Sequence, residues 1–69
     1  MGDHHGRVVG FDAGRGLGTV EAADGARYRF HCTRIADGAR DITVDADVTF
    51  RLVPGHHGDW EADAVRPSA

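Results

Sequence analysis

The 69-residue sequence contains no lysine, no asparagine and no glutamine, a single cysteine, a single tryptophan and only two prolines. One cysteine cannot close an internal disulfide, which excludes a disulfide-stapled secreted scaffold. Cys32 reads instead as a small reduced apolar residue, suited to a reducing cytoplasm. No apolar run approaches the roughly 20 residues of a membrane-spanning helix. The start, Met1-Gly2-Asp3-His4-His5, has neither the basic nor the apolar region of a secretory signal. Position 6 is Gly6, where a myristoylation site needs serine or threonine. A soluble cytoplasmic protein without a membrane partner is the expectation. Positive charge is scarce too: eight arginines face eleven acidic residues, for a net charge of −3. That balance argues against a strongly basic clamp for nucleic acid, because phosphate neutralisation drives non-specific binding. It leaves room for a local basic stripe on an acidic body.

What is present is a series of short strand patterns separated by turn signals. A chain of this length is one domain and buries only about 60% of its unfolded surface, so its stability margin is thin. Residues 1–5 are polar and expected to form a disordered tail; the folded domain is expected over residues 6–67. Residues 6–12 read as a first strand in which Val8 faces one side and Arg7 and Val9 the other. Gly10 inside that strand suggests a bulge or sharp curvature. Asp12-Ala13-Gly14 is a turn signal. Residues 15–22 form a second strand, in which Gly16 and Gly18 mark curvature or close approach; no Gly-Lys-Ser/Thr follows, so this is not a phosphate loop. Asp24-Gly25 predicts a type I′ hairpin turn.

The third strand, residues 27–32, alternates cleanly. Tyr28, Phe30 and Cys32 form a core face, and Arg27, Arg29 and His31 a polar, cationic face. Residues 33–45 are the longest irregular connection, with a helical turn around Thr33-Arg34-Ile35, and Ile35 plugging one end of the core. Asp37-Gly38 and Asp45 are its turn points. Residues 46–53 form a fourth strand with Val48, Phe50 and Leu52 inward and Thr49 and Arg51 outward. Residues 60–66 form a fifth, after a loop holding His56-His57. Five short strands with turns between them predict an all-β fold, a small five-stranded antiparallel barrel.

The segments Gly6-Arg-Val-Val-Gly-Phe-Asp, Arg15-Gly-Leu-Gly-Thr-Val-Glu and Arg29-Phe-His resemble, in that order and spacing, the bacterial cold-shock domain. There the corresponding motifs read Gly-x-Val-Lys-Trp-Phe-Asn, Lys-Gly-Phe-Gly-Phe-Ile and Phe-Val-His-Phe. The segment from Val48 through Gly58 to Pro67 is similar to that family's last two strands. The resemblance implies an OB-fold barrel that binds single-stranded RNA or DNA, acting as an RNA chaperone or regulator. Such barrels bind through aromatics on their first three strands, where each stacked base contributes about 1–3 kcal/mol. Carried over by position, the implied contact residues are Arg7, Phe11, Arg15, Leu17, Arg29 and His31. The aromatic set is depleted: Gly10 stands at the family's tryptophan, Leu17 and Thr19 at two phenylalanines, and Arg29 and Cys32 at two more. Arg29 can stack its guanidinium on a base and also bind phosphate. The resemblance therefore implies weak, salt-sensitive binding with little sequence preference. The alternative is a cold-shock barrel whose face is re-used for a protein partner or a second copy of itself, as a dimer rather than a monomer.

Several residues carry two readings. Phe11 either caps the barrel or offers its ring to a base, and His31 is either a contact or a plain strand histidine. Trp60 reads first as a cover for the barrel end and second as a displaced stacking residue. His4-His5 and His56-His57 invite a metal site, but adjacent histidines do not present a tetrahedral ligand set. No metal, no cofactor and no catalytic activity are expected: Cys32 lies on a core face rather than in an electropositive pocket, and Asp37, Asp41, Asp45 and Asp47 read as solvated.

Overall fold

The computed structural model describes residues 3–36, 42–55 and 58–68. The expected turn at Asp37-Gly38, the carboxylate of Asp41 and the His56-His57 pair lie outside these residues. The described residues include five strands, β1 (His4–Asp12), β2 (Leu17–Ala22), β3 (Arg27–His31), β4 (Asp47–Pro54) and β5 (Trp60–Pro67), and a 3-10 turn, Cys32–Arg34. The strands close into a barrel in the order β1-β2-β3-β5-β4. This is the all-β five-stranded barrel that the strand patterns imply, OB-fold-like as the resemblance implies, with one correction. The barrel is mixed rather than purely antiparallel, because β3 and β5 run parallel where Arg29 meets Glu61. Five strands around a closed ring cannot alternate direction at every seam, so one parallel contact is unavoidable. It is short, and a second parallel bridge, Ile35 to Val65, extends it.

The core is made of Val8, Val20, Phe30, Ile35, Val48, Phe50, Ala62 and Val65, all buried. Two bulges make this set possible. In β1, Val8 pairs with Val20 but Gly10 pairs with Thr19, so Val9 is an extra residue at the expected Gly10 irregularity. Strict alternation from Val8 would send Phe11 outward; the bulge turns it inward, opposite Gly18. Its ring then stacks on Phe30, with centroids 6.1 Å apart and planes 15° from parallel. In β5, Arg51 pairs with Asp63 and Thr49 with Arg66. The irregularity coincides with Ala64 at φ +50°, and Ala62 and Val65 both reach the interior.

Several boundaries differ from the sequence expectation. β1 begins at His4, so His4 and His5 belong to the barrel and not to a disordered tail: they pair with Phe50 and Thr49. His4 stacks on Phe50 at 5.7 Å. β2 starts at Leu17, because Arg15 and Gly16 complete the preceding turn, in which Gly16 N donates to the Asp12 carbonyl at 2.8 Å. The β2–β3 hairpin is not type I′. Gly25 has φ +90°, but Asp24 is not in the left-handed region. Gly25 N donates to the Ala22 carbonyl and Ala22 N to the Ala26 carbonyl. This is a three-residue loop closed by a left-handed glycine, with Asp24 Oδ1 accepting from Ala26 N at 3.0 Å.

The 3-10 turn stands where the helical turn is expected, and Ile35 behind it is buried. Trp60 does not cover a barrel end: it is 54% exposed at the start of β5. The buried ring of Phe50 is flanked by His4 and by Tyr28, whose centroid is 6.1 Å away. No helix among the described residues is long and apolar enough to cross a membrane.

Candidate nucleic-acid interface

The register of β1, β2 and β3 sets the outer face as three cross-strand rows. The first row is Arg7, Glu21 and Arg27; the second is Gly10, Thr19 and Arg29, continued by Glu61 of β5; the third is Asp12, Leu17 and His31. Arginines therefore alternate with acids across the face. Glu21 is tied to Arg27 at 3.2 Å. Arg7 and Arg29 form no ion pair among the described residues.

Four of the six implied contact residues, Phe11, Arg15, Leu17 and Arg29, line one open depression of about 460 Å³. Gly10, Asp12, Gly18 and Thr19 complete it. Phe11 is half-buried, with one ring face stacked on Phe30. Leu17 is 46% exposed and gives the depression an apolar wall. The two glycines act on opposite sides of the sheet. A Cβ on Gly18 would run into the Phe30 ring and come within 2.9 Å of Phe11. At Gly10 a Cβ would meet nothing within 4 Å, so the space above it is simply open.

Asp12 is the polar hinge of the site. Its Oδ1 accepts from Arg15 N at 3.2 Å, which shapes the turn between β1 and β2. Its Oδ2 stands 3.9 Å from Arg15 Nε, too far for a hydrogen bond.

His31 lies beside the depression, paired with Leu17. Its ring has a structural role, since Nδ1 accepts from Thr33 N at 3.2 Å and lies 3.0 Å from the Thr33 hydroxyl. It is the N-cap of the 3-10 turn. Accepting at Nδ1 places the ring proton on Nε2, which is the only ring nitrogen left to donate. Replacing His31 with alanine is expected to lower stability by about 1 kcal/mol through loss of the cap, read as a shift in the urea midpoint. An unchanged midpoint would remove the capping role.

Arg7 is the residue the barrel does not bring to this place. It stands at the far end of β1 and lines a second depression, also about 460 Å³, with His5, Glu21 and Asp47. No family model matches the chain, and no curated protein matches it. The site is therefore defined by its own geometry. Among the described residues no three His, Cys, Asp or Glu side chains gather as a metal site.

Sequence reasoning passes over Asp12, Gly10 and Thr19 as lining residues, because they read only as departures from a motif. The available signal is the turn at residues 12–16, which brings the end of one strand against the start of the next. Cys32 is half-buried and packs against the core, close to its expected face.

Proposed function

We propose that this chain binds single-stranded nucleic acid as a cold-shock-like protein of the cytoplasm, acting as an RNA chaperone or regulator by holding strands in the unpaired state. The observation that supports this most is the gathering of Phe11, Arg15, Leu17 and Arg29 around one open depression on the β1–β3 face. The two arginines supply phosphate contacts and planar stacking, while Leu17 and Phe11 supply apolar contact. The activity is binding, without a chemical step. With two guanidiniums against one carboxylate at the site, affinity is modest and falls with salt only to the extent of about two phosphate contacts.

Arg29→Ala is expected to weaken oligothymidine binding and to reduce the magnitude of the log–log salt slope by about 1, as the loss of one phosphate contact requires. Fluorescence anisotropy at several salt concentrations measures both. An unchanged slope would place the phosphate elsewhere.

One observation favours a second reading. Glu21, Asp12 and Glu61 interrupt the arginines on the same outer face, so the face is a charge mosaic rather than a continuous positive groove. A mosaic of this kind suits a protein partner or a second copy of the chain. Oligonucleotide titration separates the two, since only the first reading gives a salt-dependent complex.

A further inference from the structure

Resting on the single-strand-binding reading, we propose that the depression seats a guanine base, so that the protein prefers guanine-containing strands over oligothymidine. The polar groups around the depression are the reason. One carboxylate, Asp12, and two guanidiniums, Arg15 and Arg29, stand at its rim, with the Thr19 position between the glycines and Arg29.

The carboxylate only accepts hydrogen bonds, and a fork of two oxygens is best matched by two adjacent N–H donors. Among the bases, guanine alone carries such a pair, N1–H and the 2-amino group, on its pairing edge. Thymine and uracil flank their single N3–H with two carbonyl oxygens, which repel a carboxylate. Adenine and cytosine offer one amino group beside a ring acceptor. The neighbouring edge of guanine carries O6 and N7, the acceptor pair that an arginine fork fits. Asp12 is available for this role: its side chain is 59% exposed, its Oδ1 is engaged by one backbone N–H, and its Oδ2 lacks a hydrogen-bonding partner at 3.9 Å from Arg15 Nε.

The shape agrees with the chemistry. The missing side chain at Gly10 leaves open space where a base can settle edge-first between rim groups, instead of lying on a stacking platform. Leu17, 46% exposed, then contacts the base face. Loss of the aromatic platform and gain of base-edge contacts are thus two sides of one arrangement.

The test is a titration of the intact chain with three labelled hexamers at one salt concentration. They are oligothymidine, the same strand with one central guanosine, and the same strand with inosine there; a single guanosine avoids four-stranded structures. The guanosine strand is expected to bind about tenfold more tightly than oligothymidine, the order of one bidentate base contact. Inosine, lacking the 2-amino group, is expected about threefold weaker than guanosine, the order of one hydrogen bond. Asp12→Asn retains an oxygen for the Arg15 amide and so preserves the turn, and is expected to bring the guanosine-to-thymidine ratio below about twofold. Equal binding of all three hexamers, or a ratio that survives Asp12→Asn, overturns the guanine assignment while leaving the single-strand reading in place. Failure of every hexamer to bind removes both.

Discussion

Replacing Gly10 with tryptophan is expected to strengthen binding of oligothymidine by about tenfold, since a base–aromatic stack contributes about 1–3 kcal/mol and about 1.4 kcal/mol is a factor of ten. The barrel admits the change at two levels. Gly10 is not among the described glycines with positive φ, which are Gly16, Gly25 and Gly58, so its backbone conformation is open to other residues. A Cβ there meets nothing within 4 Å, and it faces the depression lined by Phe11, Leu17 and Arg29. The side chain would restore at this position the aromatic that the cold-shock resemblance implies. It would also fill the space assigned to guanine, so the same variant is expected to flatten the preference between guanosine and thymidine strands. Anisotropy titrations of the parent and the variant at matched salt read both effects. A folded variant with unchanged affinity would mean that strands do not cross this part of the face.

The second large effect is on stability, and it sets two glycines of one motif region against each other. Gly18→Ala is expected to destabilise the barrel by about 1–3 kcal/mol, the range for an added group in a packed interior. The new methyl would collide with the Phe30 ring, including Cε1 at 2.7 Å, and would stand 2.9 Å from Phe11 Cδ1. Phe30 is 1% exposed and has nowhere to move. In a domain this small, a loss of that size is a large share of the total. Gly10→Ala makes the same chemical change in open space, and is expected to be neutral or to stabilise by about 0.4–1 kcal/mol through reduced freedom of the unfolded chain. Urea denaturation of the pair gives the comparison. A Gly18→Ala protein as stable as Gly10→Ala would mean that Phe11 and Phe30 do not close over β2 as described.

The glycines also show how the sequence encodes the site. The strands are legible from alternation, as in Tyr28-Arg29-Phe30-His31, where Phe30 is buried and Arg29 and His31 are exposed. The bulge is legible from Gly10 in an otherwise regular strand. What the bulge does to Phe11 is not legible, because the inward turn depends on Val9 dropping out of the pairing with β2. The same holds for Arg7. A position match groups it with Phe11, but the two lie on opposite sides of the bulge and face different depressions.

Turn chemistry is the weakest guide. Asp24-Gly25 correctly marks the hairpin but does not fix its length, since a left-handed glycine serves both two-residue and three-residue loops. His4 reads locally as a terminal polar residue; its place in β1 follows from pairing with Phe50, a partner distant in the chain that local pattern cannot supply. Size alone points Trp60 toward the core edge. The interior is instead filled by residues such as Phe30 and Phe50, and Trp60 stays 54% exposed at the start of β5.

The central claim is that the β1–β3 face holds a single strand at the depression beside Phe11. Its most direct test is an NMR titration of the labelled protein with an unstructured oligonucleotide at low salt, followed by the same titration at high salt. The account predicts concentration-dependent amide shifts concentrated on Phe11, Asp12, Arg15, Leu17 and Arg29, small shifts at Arg7, and loss of the effect at high salt. A spectrum unchanged at tens of micromolar protein with excess oligonucleotide, or shifts confined to the β4–β5 face, would contradict it.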